Sequence, residues 1–283
     1  MKIGFIGAGR VGCSLGKYLK EAGSNWEVAG YYSRGTESAQ TAAAFTGSEV
    51  YTCIADLVAA CEVIAVTTPD AAIGVVWQEL CEYIDERDHK IVLHCSGASA
   101  STVFEGAQAR GITAASLHPL YAVSDRYLSY RALGNALFTL EGSGTRIDEL
   151  EQHLCAAGLT IQRIAAESKT TYHAAASVAS NLMVGLTELA IGLLCECGFD
   201  RAHARMALRP LMQGNLDAIM ENDTCGALTG PAERADVCTV NKHLQVLHGE
   251  DREIYRLLTK KLVEIAKVKN PERDYTQLEE LIE

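Results

Sequence analysis

Positive charge is scarce in this chain. Its 283 residues carry 25 Lys and Arg against 36 Asp and Glu, a formal net charge of −11. An acidic surface repels phosphodiester backbones and anionic headgroups, so neither nucleic acid nor a membrane is expected as a partner. Proline is scarce too, at five residues, which excludes a proline-rich linker or a disordered tract. Long apolar runs are missing: the longest, around 182–194, is interrupted by Thr187 and Glu188 and reads as too short to cross a bilayer. The start offers a lone Lys2 and no apolar segment ending in a cleavage site, so no secretory signal is expected. Cysteine is present, at ten residues, but scattered through apolar segments, where a reduced thiol behaves as a small hydrophobe. The only close pair, Cys195 and Cys197, has no second pair and no histidines at ligand spacing. No metal site is therefore expected, and the chain reads as cytoplasmic.

What is present is a large apolar fraction, 48%, against 22% charged residues, enough for a substantial core. Strand patterns at 2–7, 27–32, 63–67, 90–95, 114–117, 136–140 and 160–163 alternate with helical spacing at 11–22, 38–45, 54–60, 71–83, 100–109 and 146–157. Such alternation predicts an α/β fold with a doubly wound parallel sheet of the Rossmann type. Beyond about residue 165 the apolar period is helical, over 168–197, 201–222, 239–247 and 251–267. Two domains are expected: 1–165 binding a dinucleotide, and 166–283, all-α, for substrate and dimerisation. The segment Ala190–Gly198 is apolar on nearly every side. Such a helix has to be covered all round, and a homodimer through the helical domain would cover it.

The opening stretch, MKIGFIGAGRVG, joins a strand to a helix through Gly7-x-Gly9-x-x-Gly12. With a second strand ending some twenty residues on, this is the setting of a dinucleotide fingerprint. Gly7 would permit the tight turn, Gly9 would admit a pyrophosphate to bare backbone, and Gly12 would let the helix pack on the strand. Gly7, Ala8, Gly9, Arg10, Val11 and Gly12 are therefore the expected phosphate contacts, at a helix N-terminus that offers free N–H groups. The second strand ends in Tyr32-Ser33-Arg34, with no acid before Glu37. NAD enzymes usually carry an acidic residue there, whereas a hydroxyl beside a guanidinium suits a 2′-phosphate. NADP is expected over NAD, gripped by Ser33 and Arg34. Thr67, Thr68 and Pro69 close the 63–67 strand and should border the cofactor, because ligands bind beyond the carboxyl ends of the strands. Asp70 suits a helix N-cap.

Two further strand ends carry polar groups, His94-Cys95-Ser96-Gly97 and His118-Pro119. Ser96 could hold a carboxylate or cap the next turn. His118 should face the pocket, while His94, inside its strand, reads as structural. At about 100° per residue, Lys169, His173, Ser177, Ser180 and Asn181 share one stripe of the long helix, flanked by alanines. His, Ser and Asn are not the usual solvent-facing set, so this stripe is expected to line a pocket. His173 is the preferred proton donor, since imidazole titrates near neutrality, and Lys169 is the second choice. Ser96, His118, Asn181 and Asp236 are the expected substrate contacts, although Asp236 also suits a helix cap.

The stretches GFIGAGRVG, HCSGA, SLHPL, YHAAASVASN and LTGPAERAD span nearly the whole chain. Together they resemble a bacterial family of Rossmann-like proteins with a C-terminal helical domain of unassigned function. That family is similar in architecture to ketopantoate reductase, pyrroline-5-carboxylate reductase, the β-hydroxyacid dehydrogenases and deazaflavin-dependent NADP oxidoreductase. The resemblance implies a nicotinamide oxidoreductase fold with a helical domain like the C-terminal domain of 6-phosphogluconate dehydrogenase, often dimeric. It names no substrate. The β-hydroxyacid dehydrogenases pair a catalytic Lys with an Asn four residues on, but here His173 follows Lys169 at that spacing. The family's Arg-Gly-Asp is replaced by Arg234-Ala235-Asp236, and alanine tolerates a left-handed backbone poorly, so a somewhat different loop is expected. The expectation is a hydride transfer to or from a small carbonyl, imine or hydroxyl carbon, on a substrate bearing a carboxylate. Its rival is a nucleotide sensor that binds NADP without turnover.

Overall fold

The computed structural model describes residues 1–22 and 25–283. The chain divides into two compact units, Met1–Asn181 and Leu182–Glu283. That division falls inside the long helix rather than ahead of it.

The first unit is an eight-stranded sheet in the order β3-β2-β1-β4-β5-β6-β7-β8. Its strands are β1 (Lys2–Ile6), β2 (Glu27–Tyr32), β3 (Glu49–Val50), β4 (Val63–Val66), β5 (Ile91–His94), β6 (Thr113–Pro119), β7 (Leu137–Ser143) and β8 (Thr160–Arg163). The helices α1 (Arg10–Glu21), α2 (Thr36–Thr46), α3 (Ile54–Ala60), α4 (Asp70–Leu80) and α5 (Ile147–Ala156) connect them. Strands β1, β4 and β5 are buried nearly end to end, as expected for a parallel sheet covered on both faces. Two apolar clusters result. One gathers Phe5, Leu15, Leu19, Tyr31 and Leu93, the other Ile6, Leu57, Ile64, Trp77 and Phe104. Chain order reverses between β1 and β4, which opens the ligand crevice of a doubly wound sheet at their carboxyl ends.

Three expectations need correction. The sheet is not wholly parallel: β7 runs antiparallel to β6. Only a loop and a 3-10 turn, Ser129–Asn135, join them, whereas a parallel return normally needs a crossover helix. The helix expected over 100–109 is two 3-10 turns, Ser101–Val103 and Gln108–Arg110. There Ser101 gives its N–H and hydroxyl to the buried Glu141 at 2.6 and 2.7 Å, and Gly106 lies at φ 75°. Side-chain partners of this kind compete with a helix. Two elements lie outside the expected set: β3, two exposed residues without a pattern, and a C-terminal helix over Thr276–Ile282.

The second unit holds α7 (Met183–Glu196), α8 (Arg201–Ala227), α9 (Val237–Val246), α10 (Gly249–Lys269) and α11 (Thr276–Ile282). Val240, Leu244, Val263, Leu278 and Ile282 form its core. In α8 the regular helix breaks at Asp223, φ 66°, just beyond the expected end at 222. The helix running into this unit spans Ala166–Glu196, 31 residues, and by length and composition is long and apolar enough to cross a membrane. That corrects the reading of 182–194 as too short. Thr187 satisfies its hydroxyl on the Met183 carbonyl at 2.7 Å, and Glu188 pairs with Arg201, so neither interrupts the helix. Val184, Met206, Leu211 and Met220 are each at least 63% exposed.

Candidate functional site

The turn after β1 is built by close approach. Gly7 lies at φ 104°, and its N–H donates to the Tyr32 carbonyl at 2.8 Å, tying the turn to β2. A Cβ on Gly7 would sit 2.8 Å from the Thr67 backbone, and one on Gly12 would sit 2.5 Å from Thr67 Oγ1. Both glycines are demanded by the protein itself. Gly9 is different: a Cβ there would meet nothing nearer than Thr67 O at 3.9 Å. Its bareness leaves room for something that is not protein. Gly9 caps α1 with no side-chain hydrogen bond, and no acidic residue follows in the first turn. The first helical bond is Cys13 N–H to Gly9 O, so the N–H groups of Arg10, Val11 and Gly12 point free of the helix.

Thr67 and Thr68 flank this turn with opposite roles. Thr67 commits its hydroxyl to Gly7 O at 2.7 Å. Thr68 Oγ1 is buried and has no hydrogen-bond partner. Pro69 precedes α4, whose first residue is Asp70. At the end of β2, Ser33 is half-buried and Arg34 exposed. Neither carries an ion pair or side-chain hydrogen bond among the described residues. A glycine cradle, free N–H groups and an orphaned hydroxyl together fit the diphosphate of a dinucleotide.

Within the first unit a cavity of about 500 Å³ opens between the end of β6 and the long helix. This stretch of helix is α6 (Lys169–Ser177) followed by a π-helical turn, Val178–Leu182; such turns are frequent at functional sites. His118, His173, Ser177, Ser180 and Asn181 line the cavity, so four of the five stripe residues do what the helical spacing predicts. Lys169 does not. Only 1% exposed, it reaches away from the cavity to give Nζ protons to Ser96 O at 3.0 Å and Ser116 Oγ at 2.8 Å. Burial pushes its pKa below the usual lysine value, and the Glu141 charge opposes that shift.

Tyr172, which the stripe left out because it lies about 100° round from His173, lines the cavity as well. Its hydroxyl is 2.7 Å from His118 Nδ1, and Lys169 Nζ is 5.5 Å from its ring centre. His118 packs directly on Gly97, where a Cβ would come within 2.8 Å of Nε2; this is the reason for glycine in HCSGA. Burial first, then the Lys169 and His173 charges, push the His118 pKa down to about 4, so its ring is neutral at physiological pH. His173 stands 6.3 Å from His118, centre to centre, and its buried Nδ1 has no partner.

The remaining candidates are occupied elsewhere. Ser96 donates to Asp70 Oδ2 at 2.7 Å and accepts the N–H groups of Ala98 and Ser99, which is the capping alternative. His94 accepts from Ser96 N–H and bonds Ala100 O, a structural role. Asp236 lies in the second unit and caps α9, accepting from Thr239 N and Oγ1 at 3.0 and 2.7 Å. Those bonds hold its carboxyl below the usual range. Ala235 adopts φ 56°, so alanine does take the left-handed backbone, and the loop keeps its cap without glycine.

Residues 1–119 match the Rossmann-like domain family. Residues 136–262 match a domain of unknown function, DUF2520. No curated protein matches in sequence. Among solved structures, a protein from Thermotoga maritima is 25% identical with a TM-score of 0.74, over 95% of this chain and 99% of that one. A candidate NADP oxidoreductase from Bacteroides fragilis is 23% identical with a TM-score of 0.72, over 93% and 98%. A reductive aminase from Aspergillus terreus, solved with NADPH and ethyl-5-oxohexanoate, is 15% identical with a TM-score of 0.66, over 99% and 98%.

Proposed function

From a chain that carries a Rossmann-like domain followed by a DUF2520 domain, we propose an NADP-dependent oxidoreductase acting on a small carbonyl, imine or hydroxyl substrate that bears a carboxylate. The observation that carries this reading is the glycine cradle. Gly7 and Gly12 are crowded by Thr67, while Gly9 faces open space at an uncapped helix N-terminus. Arg10, Val11 and Gly12 give their N–H groups to the diphosphate, with Ala8 packed beneath them, and Thr68 supplies a further hydroxyl. Ser33 and Arg34 take the 2′-phosphate, which sets NADP ahead of NAD. Thr67 and Pro69 shape the wall beside it. The likeness to NADP- and NADPH-associated structures supports the same cofactor.

When bound, the nicotinamide supplies or accepts the hydride. His173 faces the cavity with one ring nitrogen orphaned and exchanges the accompanying proton at the substrate oxygen or nitrogen. The role weighed for Lys169 passes to support: it holds Ser96 O and Ser116 Oγ, and its charge adds to the burial that keeps His118 neutral. No carboxylate lines the cavity among the described residues, so an anionic substrate meets no like charge there. Asn181, Ser177 and His118 orient it. Ser96 and Asp236, engaged in caps, act on the scaffold and not on substrate.

The protein associates as a homodimer through the helical unit. Val184, Met206, Leu211 and Met220 lie exposed in the single chain, and apolar surface of this extent is normally covered by a partner. A strict monomer in sedimentation at micromolar concentration would overturn this.

The decisive assay mixes the protein with NADPH and a panel of keto acids and cyclic imines, following absorbance at about 340 nm. Oxidation of NADPH with at least one compound class supports the reductase. Tight nucleotide binding with no oxidation across the panel makes the protein a nucleotide sensor instead.

A further inference from the structure

Of the eight arginines of the first unit, Arg131 donates to the Tyr130 hydroxyl, Arg87, exposed in the turn before β5, has no side-chain partner among the described residues, and the other six fall into two groups. Arg110 is held by the Cys81 and Ile84 carbonyls, Arg146 by Glu149, Glu62 and the His89 carbonyl, and Arg163 by Asp148 and Glu151. At the carboxyl ends of β1, β2 and β6 lie Arg10, Arg34 and Arg126. None of these three has a carboxylate partner or a side-chain hydrogen bond among the described residues. In a chain of net charge −11, three unpaired guanidiniums at the ligand end of one sheet are a feature the fold alone does not require. Arg10 and Arg34 belong to the cofactor reading already given, but Arg126 belongs to no motif.

The loop that presents Arg126 is rigidly made. Asp125 Oδ1 accepts the N–H groups of Tyr127 and Leu128 at 2.7 and 2.9 Å. Ser129 Oγ accepts the Asp125 N–H at 3.1 Å, and the Ser129 N–H returns to the Asp125 carbonyl. The next residue is pinned from outside, because Ser14 of α1 donates its hydroxyl to the Arg126 carbonyl at 3.4 Å. The Tyr127 ring meets Phe45 of α2 edge-on at 5.0 Å. Ser14 stands one helical turn, about 5.4 Å, above the first residue of α1, a distance that an extended arginine side chain covers. Burial pushes the Cys13 thiol up to about 11, with the nearby Arg126 guanidinium opposing that shift, and Cys13 Sγ bonds the Ala8 carbonyl inside the glycine turn.

We propose that Arg126 clamps the cofactor diphosphate from the side opposite the α1 N–H groups. The assignment rests on the cofactor reading above and extends it to a residue outside the fingerprint. A guanidinium offers paired donors to phosphate oxygens, and the built turn fixes its origin before the cofactor arrives, so little freedom is lost on binding. Division of labour follows. Arg34 reads the 2′-phosphate and so separates NADP from NAD. Arg126 reads the diphosphate that both share and contributes to affinity without discriminating.

The test is calorimetric titration of Arg126→Ala, Arg126→Lys and Arg34→Ala with NADPH, NADH and 2′-AMP, which lacks the diphosphate. For Arg126→Ala the expected result is a loss of about tenfold or more for both NADPH and NADH, the scale of one charge-assisted hydrogen bond. Its binding of 2′-AMP should stay within about twofold of wild type. Arg126→Lys, which keeps the charge on the same backbone, should recover part of the loss. Arg34→Ala should lose NADPH and 2′-AMP while keeping NADH. An unchanged thermal midpoint for the free Arg126→Ala protein would separate lost binding from lost folding. Arg126→Ala binding NADPH within twofold of wild type, or losing 2′-AMP as much as NADPH, would overturn the assignment. Wild-type protein that binds neither NADPH nor NADH would overturn the cofactor reading and this assignment with it.

Discussion

The glycine turn and the cavity wall lie in the same unit, and their polar groups are used in opposite ways. In the turn, N–H groups and a threonine hydroxyl are left without protein partners. In the wall two of the polar side chains are engaged by protein, Tyr172 with His118 and Ser180 with the Ala176 carbonyl. Among the described residues that line it, His173 Nδ1 is the one buried side-chain atom without a partner. Leaving buried polar atoms unpaired costs stability, so the places where the fold does so mark where a ligand completes the structure. The turn is made to bind. The wall presents one histidine ring with a nitrogen left open.

The sharpest test of this contrast sets two glycines against each other. Gly12→Ala drives a Cβ to 2.5 Å from Thr67 Oγ1 and should destabilise the protein by about 1–3 kcal/mol as well as abolish nucleotide binding. Gly9→Ala meets only open space and should leave thermal stability unchanged while weakening NADPH by about tenfold or more, because bare backbone is what the diphosphate approaches. Equal behaviour of the two variants in paired melting and binding curves would break the contrast.

On the wall, His173→Gln should lower turnover of any active substrate by about 10²-fold with NADPH affinity kept, whereas Ser96→Ala should mainly lower the melting temperature. A loss below threefold for His173→Gln would take the proton from another group. Acid should weaken the fold through the two buried histidines. His94 and His118 are held near 4, against 6.5 in the unfolded chain. Between those values the unfolded state binds more protons. Their contribution to stability is therefore lost progressively below about pH 6.5, and fully below about 4. Calorimetric midpoints taken across this range should fall with pH, and His118→Gln should flatten the slope. The smallest expected change is Ala235→Gly, which relieves a left-handed alanine and should stabilise by about 0.5 kcal/mol, the strain relieved less the extra entropy of an unfolded glycine.

The turn was legible in the sequence because its signal is local: Gly7, Gly9 and Gly12 follow a strand and open a helix, and each glycine acts within a few residues of itself. The sheet was legible for the same reason, apart from β3, whose two exposed residues carry no pattern, and the reversal at β7, where direction depends on a long connection rather than on the strand's own residues. The wall was only half legible. Helical spacing brought His173, Ser177, Ser180 and Asn181 together, but the fate of Lys169 depended on Ser96 O and Ser116, 73 and 53 positions away. Tyr172 was missed because its partner, His118, lies 54 positions back in the chain. The start of α11 was readable in principle, with Asp274 accepting from Thr276 N and Oγ1 in the turn that leads into it, ahead of the buried pair Leu278 and Ile282.

Titration calorimetry of the intact wild-type protein with NADPH and then NADH tests the central claim most directly. The account predicts one nucleotide per chain, with NADPH bound more tightly than NADH. Absence of heat with either nucleotide, from protein whose circular dichroism and melting transition are those of a folded chain, would contradict it.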